Sequence, residues 1–211
     1  MGLFRDLMLQ LDLQSETQIY LGLYERETHR YIRNAARTCE WVIDVGAGKG
    51  EMCLYFLKKS DANAIIGFEP DKPESNIFER NLALNGEREN KKITVSTKFV
   101  GTLTDPCYVA LDSMDLDRKR RGFIKIDVEG YELEVLRSGE SLFSDGNVDV
   151  LLETHSKELE AECVEWFRAR RYELKVIRNA WWRVIIPEQR PIAHNRWLWA
   201  TRGSRSLKKK V

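Results

Sequence analysis

Val42-Ile43-Asp44-Val45-Gly46-Ala47-Gly48-Lys49-Gly50 is an apolar run that leads into a glycine-rich turn, and residues 51–59 after it have a helical pattern. Glycine permits tight turns of the backbone and close approach of a ligand. In an open α/β sheet, ligands bind beyond the carboxyl ends of the strands. The stretch therefore predicts a buried strand, a ligand-binding turn and a helix.

The spacing within this turn argues against two common phosphate-binding motifs. A P-loop requires Ser or Thr after Gly-Lys, but Lys49 is followed by Gly50. The dinucleotide fingerprint requires G-x-G-x-x-G, and here the third glycine comes one residue early. Asp44 would also repel a pyrophosphate. A carboxylate in this position suits a cationic ligand, such as the methionyl end of S-adenosylmethionine.

Short apolar runs alternate with helix-like stretches along the rest of the chain, which is typical of an α/β fold with a mainly parallel sheet. The predicted strands are 41–45, 64–68, 92–100, 122–128, 148–153, 172–177 and 194–200. The predicted helices are 25–38, 51–59, 73–84, 132–142 and 157–170. The spacer 179–191 is too short for a crossover helix, so we expect the last two strands to pair antiparallel.

The chain is expected to divide into an N-terminal helical segment (1–23) packed on the domain, a single domain (24–202) and a basic flexible tail (203–211). His29 is predicted to lie on the surface. The N-terminal prediction depends on five residues with the spacing of one apolar helix face: Leu3, Phe4, Leu7, Met8 and Leu11.

Composition favours a cytoplasmic protein without a membrane span. No apolar run is long enough to cross a bilayer, and the first residues lack the basic region and cleavage site of a signal peptide. The four cysteines lie far apart, which fits reduced thiols and argues against a zinc site made of closely spaced pairs.

Charged residues, most of them acidic, occur at the ends of two predicted strands. Glu69 ends the second strand, 25 positions after Asp44, where a carboxylate can accept hydrogen bonds from ribose hydroxyls. Lys125, Asp127 and Glu129 alternate along an extended segment, so they should face the same side. Three charges at the end of a central strand are costly unless they are paired or used. A structural ion pair and a functional site are the two interpretations, and the position favours function.

His155 follows Glu153 at the end of the fifth predicted strand. A neutral imidazole can accept a hydroxyl proton near neutral pH. A capping or core histidine is the alternative. Asp127, Glu153 and His155 could also hold a metal, but carboxylates with one histidine can equally form a hydrogen-bonded network, and no metal is predicted.

The C-terminal part of the chain is basic and rich in tryptophan. Between residues 168 and 210 the acidic residues are Glu173 and Glu188 alone. Aromatic residues interleaved with arginines can stack nucleic-acid bases. The alternation of Trp197 and Trp199 fits a strand face packed in the core, which is the preferred interpretation. The other tryptophans considered were Trp166, Trp181 and Trp182.

Several of these motifs together resemble FkbM-type methyltransferases, a class I family that uses S-adenosylmethionine. They are the turn 44–50, Phe68-Glu69-Pro70, the run 125–132, Glu153-x-His155 and His194-Asn195. The resemblance covers about 24–200. It implies a Rossmann-like, seven-stranded, mostly parallel sheet with helices on both faces and an antiparallel last strand. It also implies S-adenosylmethionine as the cofactor and O-methylation, often of a sugar or secondary-metabolite hydroxyl.

The sequence therefore predicts an enzyme that methylates a hydroxyl of a small molecule. The predicted cofactor-binding residues are Asp44, Gly46, Ala47, Gly48, Glu69, Pro70 and Asp127. The predicted catalytic residues are His155, Asp127, Glu129 and Lys125, with His155 as first choice for the base and Asp127 or Glu129 next. The alternatives are an RNA methyltransferase that uses the basic C-terminal region, a binding module without turnover, and a nicotinamide oxidoreductase, against which the glycine spacing argues.

Overall fold

Seven strands form one sheet in the computed structural model, which describes residues 2–14, 16–86, 91–179 and 194–202. The strands of this sheet are β1 (Trp41–Val45), β2 (Ala64–Phe68), β3 (Lys92–Ser96), β6 (Arg121–Ile126), β7 (Asn147–Thr154), β8 (Tyr172–Ile177) and β9 (Arg196–Arg202). Their order is β3-β2-β1-β6-β7-β9-β8. Only β9 runs antiparallel to its neighbours in this sheet, as expected for the last strand. A separate parallel pair joins β4 (Phe99–Val100) to β5 (Tyr108–Val109).

Helices cover both faces of the sheet. They are α1 (Thr17–Leu21), α2 (His29–Ala36), α3 (Glu51–Lys59), α4 (Lys72–Asn85), α5 (Glu132–Arg137), α6 (Glu140–Asp145) and α7 (Lys157–Ala169). Val42 belongs to an apolar cluster with residues of α2 and α3, whereas Ile43 belongs to another with residues of α5, α6 and α7. Because successive side chains of a strand point to opposite faces, this division confirms the Rossmann-like architecture.

The strand order creates a crevice at one edge of the sheet. The chain runs outward from β1 to β2 and β3, and then returns to β6 on the other side of β1. Such a reversal leaves room beyond the carboxyl ends of the strands that flank it. The glycine turn after β1, Glu69 after β2 and Asp127 after β6 all lie at this edge.

The predicted N-terminal amphipathic helix is wrong over residues 3–11, which form turns and irregular chain. Leu3 and Phe4 are buried, but Met8 is exposed. Side chains of α4 bond the backbone of this segment instead. Asn85 accepts from the backbone N–H of Met8, and Asn81 accepts from that of Gln10. The helical part of the segment is the short α1.

The helix predicted over 132–142 is divided into α5 and α6. Asp112 is the cause, since its carboxylate accepts hydrogen bonds from the backbone N–H groups of Ser141 (2.9 Å) and Leu142 (2.7 Å) near the start of α6. The strand predicted over 92–100 is likewise divided, into β3 and β4. His29 is buried and not on the surface, and its Nε2 lies 2.9 Å from the carbonyl oxygen of Tyr24.

Some of the sequence predictions fall outside the described residues. Trp181 and Trp182 lie in 180–193, and the tail lies in 203–211. Within the described part of the chain, no helix is both long and apolar enough to cross a membrane.

Candidate active site

The glycine turn after β1 fits against the ends of both neighbouring strands. Gly46 has φ +78°, and a Cβ added there would stand 1.9 Å from the carbonyl oxygen of Asp127. The backbone N–H groups of Gly46 and Ala47 both donate to the carbonyl oxygen of Phe68 at 3.0 Å. Only glycine at position 46 allows this close approach of β1 and β6.

Glu69 closes the turn from the side of β2. Its Oε2 accepts a hydrogen bond from the backbone N–H of Gly48 (2.8 Å), and its Oε1 accepts one from that of Asp71 (2.9 Å). Gly48 has φ +51° and has open space where a side chain would stand. The carboxylate is thus held in one orientation at the rim, and each oxygen can accept a further hydrogen bond.

A cleft of about 270 Å³ lies beside this turn. Its described lining contains six acidic residues and one basic residue, Lys125. The acidic residues are Glu25, Asp44, Glu51, Glu69, Asp127 and Glu129. An excess of carboxylates in a partly enclosed space produces a negative potential that attracts cations.

Asp44, Lys125 and Asp127 form a chain of charges along the floor of the cleft. The Lys125 Nζ lies 3.0 Å from Asp127 Oδ2 and 3.7 Å from Asp44 Oδ1. Burial lowers the pKa of Lys125, but the carboxylates of Asp127 and Asp44 outweigh it and raise the pKa above its usual value. The ammonium therefore stays charged. Its Nζ also lies 5.7 Å from the ring centre of the buried Trp197.

Two acids in the cleft have raised pKa values. Burial raises the pKa of Asp44 to about 6, although Lys125 opposes the shift. Burial also raises the pKa of Glu51 to about 7. Within the described residues, Asp44 Oδ1 accepts no hydrogen bond, although it is buried. A buried acceptor without a donor is costly, so a cationic or hydrogen-bonding ligand here would be stabilising.

His155 lies on the far side of Asp127 from Lys125. Its Nδ1 is 2.6 Å from Glu132 Oε1, and its Nε2 is 3.7 Å from Asp127 Oδ1 and 3.8 Å from Glu153 Oε2. Burial lowers the pKa of His155, but the hydrogen bond to Glu132 and the charge of Asp127 outweigh this, so the pKa is raised. An ionised carboxylate only accepts, so Nδ1 donates to Glu132 and the neutral ring keeps its lone pair at Nε2.

The structure brings together most of the residues predicted from the sequence. Asp44, Gly46, Ala47, Gly48, Glu69, Lys125, Asp127 and Glu129 all line the cleft. Pro70 is not among the described residues that line it, and neither are Glu153 and His155. His155 does not line the cleft itself, but it lies next to Asp127, which does.

Three residues of the site were missed from the sequence. Glu25 is 2% exposed, has φ +46° and lines the cleft, but no local motif marks it. Glu51 is the first residue of α3, directly after the turn, so its position could have indicated a role. Glu132 belongs to the run 125–132, but its contact with His155 depends on how α5 packs beside β7.

The described tryptophans are structural. Trp197 is fully buried, and Trp166 and Trp199 are each 8% exposed. Rings in these positions cannot stack on bases, which confirms the interpretation of Trp197 and Trp199 as a strand face in the core. His194 pairs with Glu160 on α7, with its Nε2 3.2 Å from Oε2.

Comparison with known proteins connects this geometry to a family. Residues 86–174 match the model of the methyltransferase FkbM domain. No curated protein sequence matches the chain. The structure resembles the methyltransferase FkbM from Methylobacillus flagellatus KT, with a TM-score of 0.63 and 17% identity over 91% of this chain and 56% of that chain.

Two further structures share the fold. The precorrin-6y C5,15-methyltransferase from Geobacter metallireducens GS-15 has a TM-score of 0.57 and 13% identity, covering 96% of this chain and 98% of that chain. The magnesium protoporphyrin IX methyltransferase from Synechocystis PCC 6803, solved with bound SAM, has a TM-score of 0.54 and 13% identity, covering 92% and 86%. At these identities the likeness concerns the fold. Residues 86–174 therefore resemble the FkbM methyltransferase domain, and the described structure has the fold of these methyltransferases.

Proposed function

We propose that this protein binds S-adenosylmethionine in the acidic cleft and methylates a hydroxyl group of a small molecule. When bound, S-adenosylmethionine supplies a reactive methyl group on a positively charged sulfur. The observation that carries the proposal is the charge of the cleft, in which six described acidic residues accompany one lysine. A negative cleft favours a ligand that carries a sulfonium and an ammonium.

The residues of the turn fit this cofactor. Gly46, Ala47 and Gly48 line the cleft, and Gly48 leaves open space where a side chain would stand, so the backbone of the turn could approach the cofactor closely. Glu69 would accept hydrogen bonds from the ribose hydroxyls, since each of its oxygens keeps acceptor capacity. Asp44 would bind the methionyl end through its unsatisfied Oδ1. Pro70 would contribute by fixing the chain after Glu69.

On the acceptor side, the residues beyond β6 and β7 would position the hydroxyl and remove its proton. Lys125 holds Asp127 by an ion pair of 3.0 Å. Glu132 holds the His155 ring, so that the Nε2 lone pair lies between Asp127 and Glu153 and can accept a proton. Glu129 lines the cleft and is a second candidate base. Most of the rate would come from alignment of the acceptor oxygen with the methyl group.

The excess of acidic residues in the cleft favours a small acceptor over RNA. RNA binding depends on neutralisation of phosphates by Lys and Arg. The cleft would instead repel a polyanion, and the described tryptophans are buried in the core. A binding module without turnover is the remaining alternative, and formation of S-adenosylhomocysteine separates the two.

Calorimetry with S-adenosylmethionine is the first test, with NADH as the control ligand. We expect saturable binding of S-adenosylmethionine and no binding of NADH. The second test is a panel of hydroxyl compounds with labelled methyl donor. Transfer to RNA that is lost steeply with added salt, without transfer to any small hydroxyl, would contradict the proposal.

The role of the acceptor side is tested with His155→Ala. A positioned base contributes about 10²–10⁴-fold, so we expect kcat to fall by that factor while cofactor affinity stays within a few-fold. His194→Ala is the matched control, because His194 also contacts a glutamate, Glu160 on α7, but does not line the cleft. Unchanged kcat in folded His155→Ala would transfer the role to Asp127 or Glu129.

A further inference from the structure

Three donor atoms beside the cleft converge on one point. Asp127, Glu153 and His155 each offer one ligand atom, and these three atoms lie within 4.8 Å of one another. We infer that these three residues bind a divalent transition-metal ion, such as Mn²⁺ or Zn²⁺. The inference rests on the proposed function and changes one part of it. The ion would lie next to Asp127, which lines the cleft, and it would occupy the Nε2 lone pair of His155, so that Glu129 would be the candidate base in the metal-bound protein.

The imidazole of His155 carries the argument. Its side chain is 9% exposed, and within the described residues its Nε2 forms no hydrogen bond. The two nearby carboxylate oxygens lie at 3.7 and 3.8 Å, which is beyond hydrogen-bond distance. By contrast, Nδ1 lies 2.6 Å from Glu132. A ring nitrogen of a mostly buried side chain therefore lies between two carboxylates without a hydrogen bond to either.

The two distances from the histidine nitrogen are close to those of a metal coordination shell. Two donors at about 2.1 Å from a shared tetrahedral metal lie about 3.4 Å apart. The distances from Nε2 to the Asp127 and Glu153 oxygens, 3.7 and 3.8 Å, exceed this value by a few tenths of an ångström. Small side-chain rotations would close that difference. The donors, one imidazole and two carboxylates, suit Mn²⁺ and Zn²⁺ better than Ca²⁺, which prefers oxygen alone.

Glu132 has the position of an outer partner that orients a metal-bound histidine. Its Oε1 accepts from both the backbone N–H (3.1 Å) and the Nδ1 of His155. Such a carboxylate fixes the tautomer that leaves Nε2 available to a metal. Glu132 is fully buried and pairs with no lysine or arginine in the described residues, so its position is accounted for by this contact.

The charges around the cluster also favour a bound cation. Glu132 is fully buried, and Asp127 shares its other oxygen with Lys125. Lys125 is also engaged with Asp44. Buried carboxylates are costly unless a positive charge compensates them. The competing solution is a protonated His155, which would compensate the same carboxylates without a metal.

A titration of the untagged, chelator-treated full chain with Mn²⁺ tests the inference without cofactor or acceptor. We expect one Mn²⁺ per chain by electron paramagnetic resonance, and spin-echo modulation from a directly coordinated nitrogen nucleus. His155→Ala and Glu153→Gln should weaken the affinity at least about tenfold. His194→Ala should leave it within about twofold of the wild type. Mn²⁺ should raise the Tm of the wild type and not that of His155→Ala.

The outcomes separate the inference from the proposed function. Absence of saturable binding of both Mn²⁺ and Zn²⁺ would overturn the metal site, and so would nitrogen-free coordination that both variants leave unchanged. Binding of S-adenosylmethionine could still be intact in either case, because it is measured separately in the cleft. The nitrogen signal comes from the wild type, so it remains decisive if a variant does not fold.

Discussion

Glu69 offers the sharpest test of the cofactor site, because one carboxylate has two separable roles. In the protein alone it accepts hydrogen bonds from the backbone N–H groups of Gly48 and Asp71, at 2.8 and 2.9 Å. In the proposed complex it also accepts from the ribose hydroxyls. Replacement by alanine removes both roles. Replacement by glutamine keeps the shape and one strong acceptor, but loses the charge.

The two roles predict different magnitudes. Glu69 is half-buried, so water can replace it at the two N–H groups, and Glu69→Ala should lower the free energy of unfolding by only about 1 kcal/mol. Loss of the hydroxyl hydrogen bonds should weaken cofactor binding by about 1–3 kcal/mol, which corresponds to about 5- to 150-fold in Kd. Glu69→Gln should lie between the wild type and Glu69→Ala in affinity.

Calorimetry of S-adenosylmethionine binding measures the affinity, and urea denaturation measures the stability. Glu79→Ala is the matched control, since it removes an exposed glutamate of α4 that does not line the cleft. A folded Glu69→Ala protein with the Kd of the wild type would refute the assignment of Glu69 to the ribose. A large loss of stability with unchanged affinity would limit Glu69 to holding the turn.

Three further predictions concern the turn, a buried histidine and the tail. Gly46→Ala should destabilise the protein by at least about 2 kcal/mol in urea denaturation, because a Cβ there meets a backbone oxygen at 1.9 Å. Gly48→Ala should lower the free energy of unfolding by only about 1 kcal/mol, because it has a positive φ but open space around it. Equal losses in the two variants would argue against the steric explanation. Burial lowers the pKa of His29 from 6.5 to about 4, so its contribution is complete above pH 6.5 and is lost as the pH falls towards 4. The wild type should therefore lose about 1–3 kcal/mol more than His29→Gln over this range in denaturation experiments, and identical pH profiles would contradict it. Deletion of 203–211, which is rich in Ser and Lys and lacks apolar periodicity, should leave Tm and turnover nearly unchanged, and a large loss of turnover would instead assign the tail a role with substrate.

Local sequence determined the central elements of the sheet. The predicted bounds of β1, α3, β2 and β8 agree with the structure. The reason is that apolar runs, a glycine turn and a helical pattern act over a few residues. The antiparallel pairing of β8 and β9 also followed from the sequence, because a short spacer cannot hold a crossover helix.

The helices predicted from local sequence were wrong where side chains distant in the sequence form hydrogen bonds with the backbone. Residues 3–11 have helical spacing, but Asn81 and Asn85 of α4 supply hydrogen bonds that compete with those of a helix. Similarly, the helical pattern of 132–142 contains no strong stop signal besides Gly139. The division occurs because Asp112, about thirty residues earlier in the sequence, caps the second half.

Some residues of the candidate site could likewise be assigned from the sequence, and others only from the structure. Asp44, Glu69 and Asp127 could be assigned from the sequence, because the carboxyl ends of neighbouring parallel strands meet at one edge of a sheet. Only the tertiary structure brought Glu25 into the cleft and Glu132 to the ring of His155. These contacts depend on how the N-terminal segment and α5 pack against the sheet. Packing of that kind is decided by apolar burial over the whole chain, which no local spacing encodes.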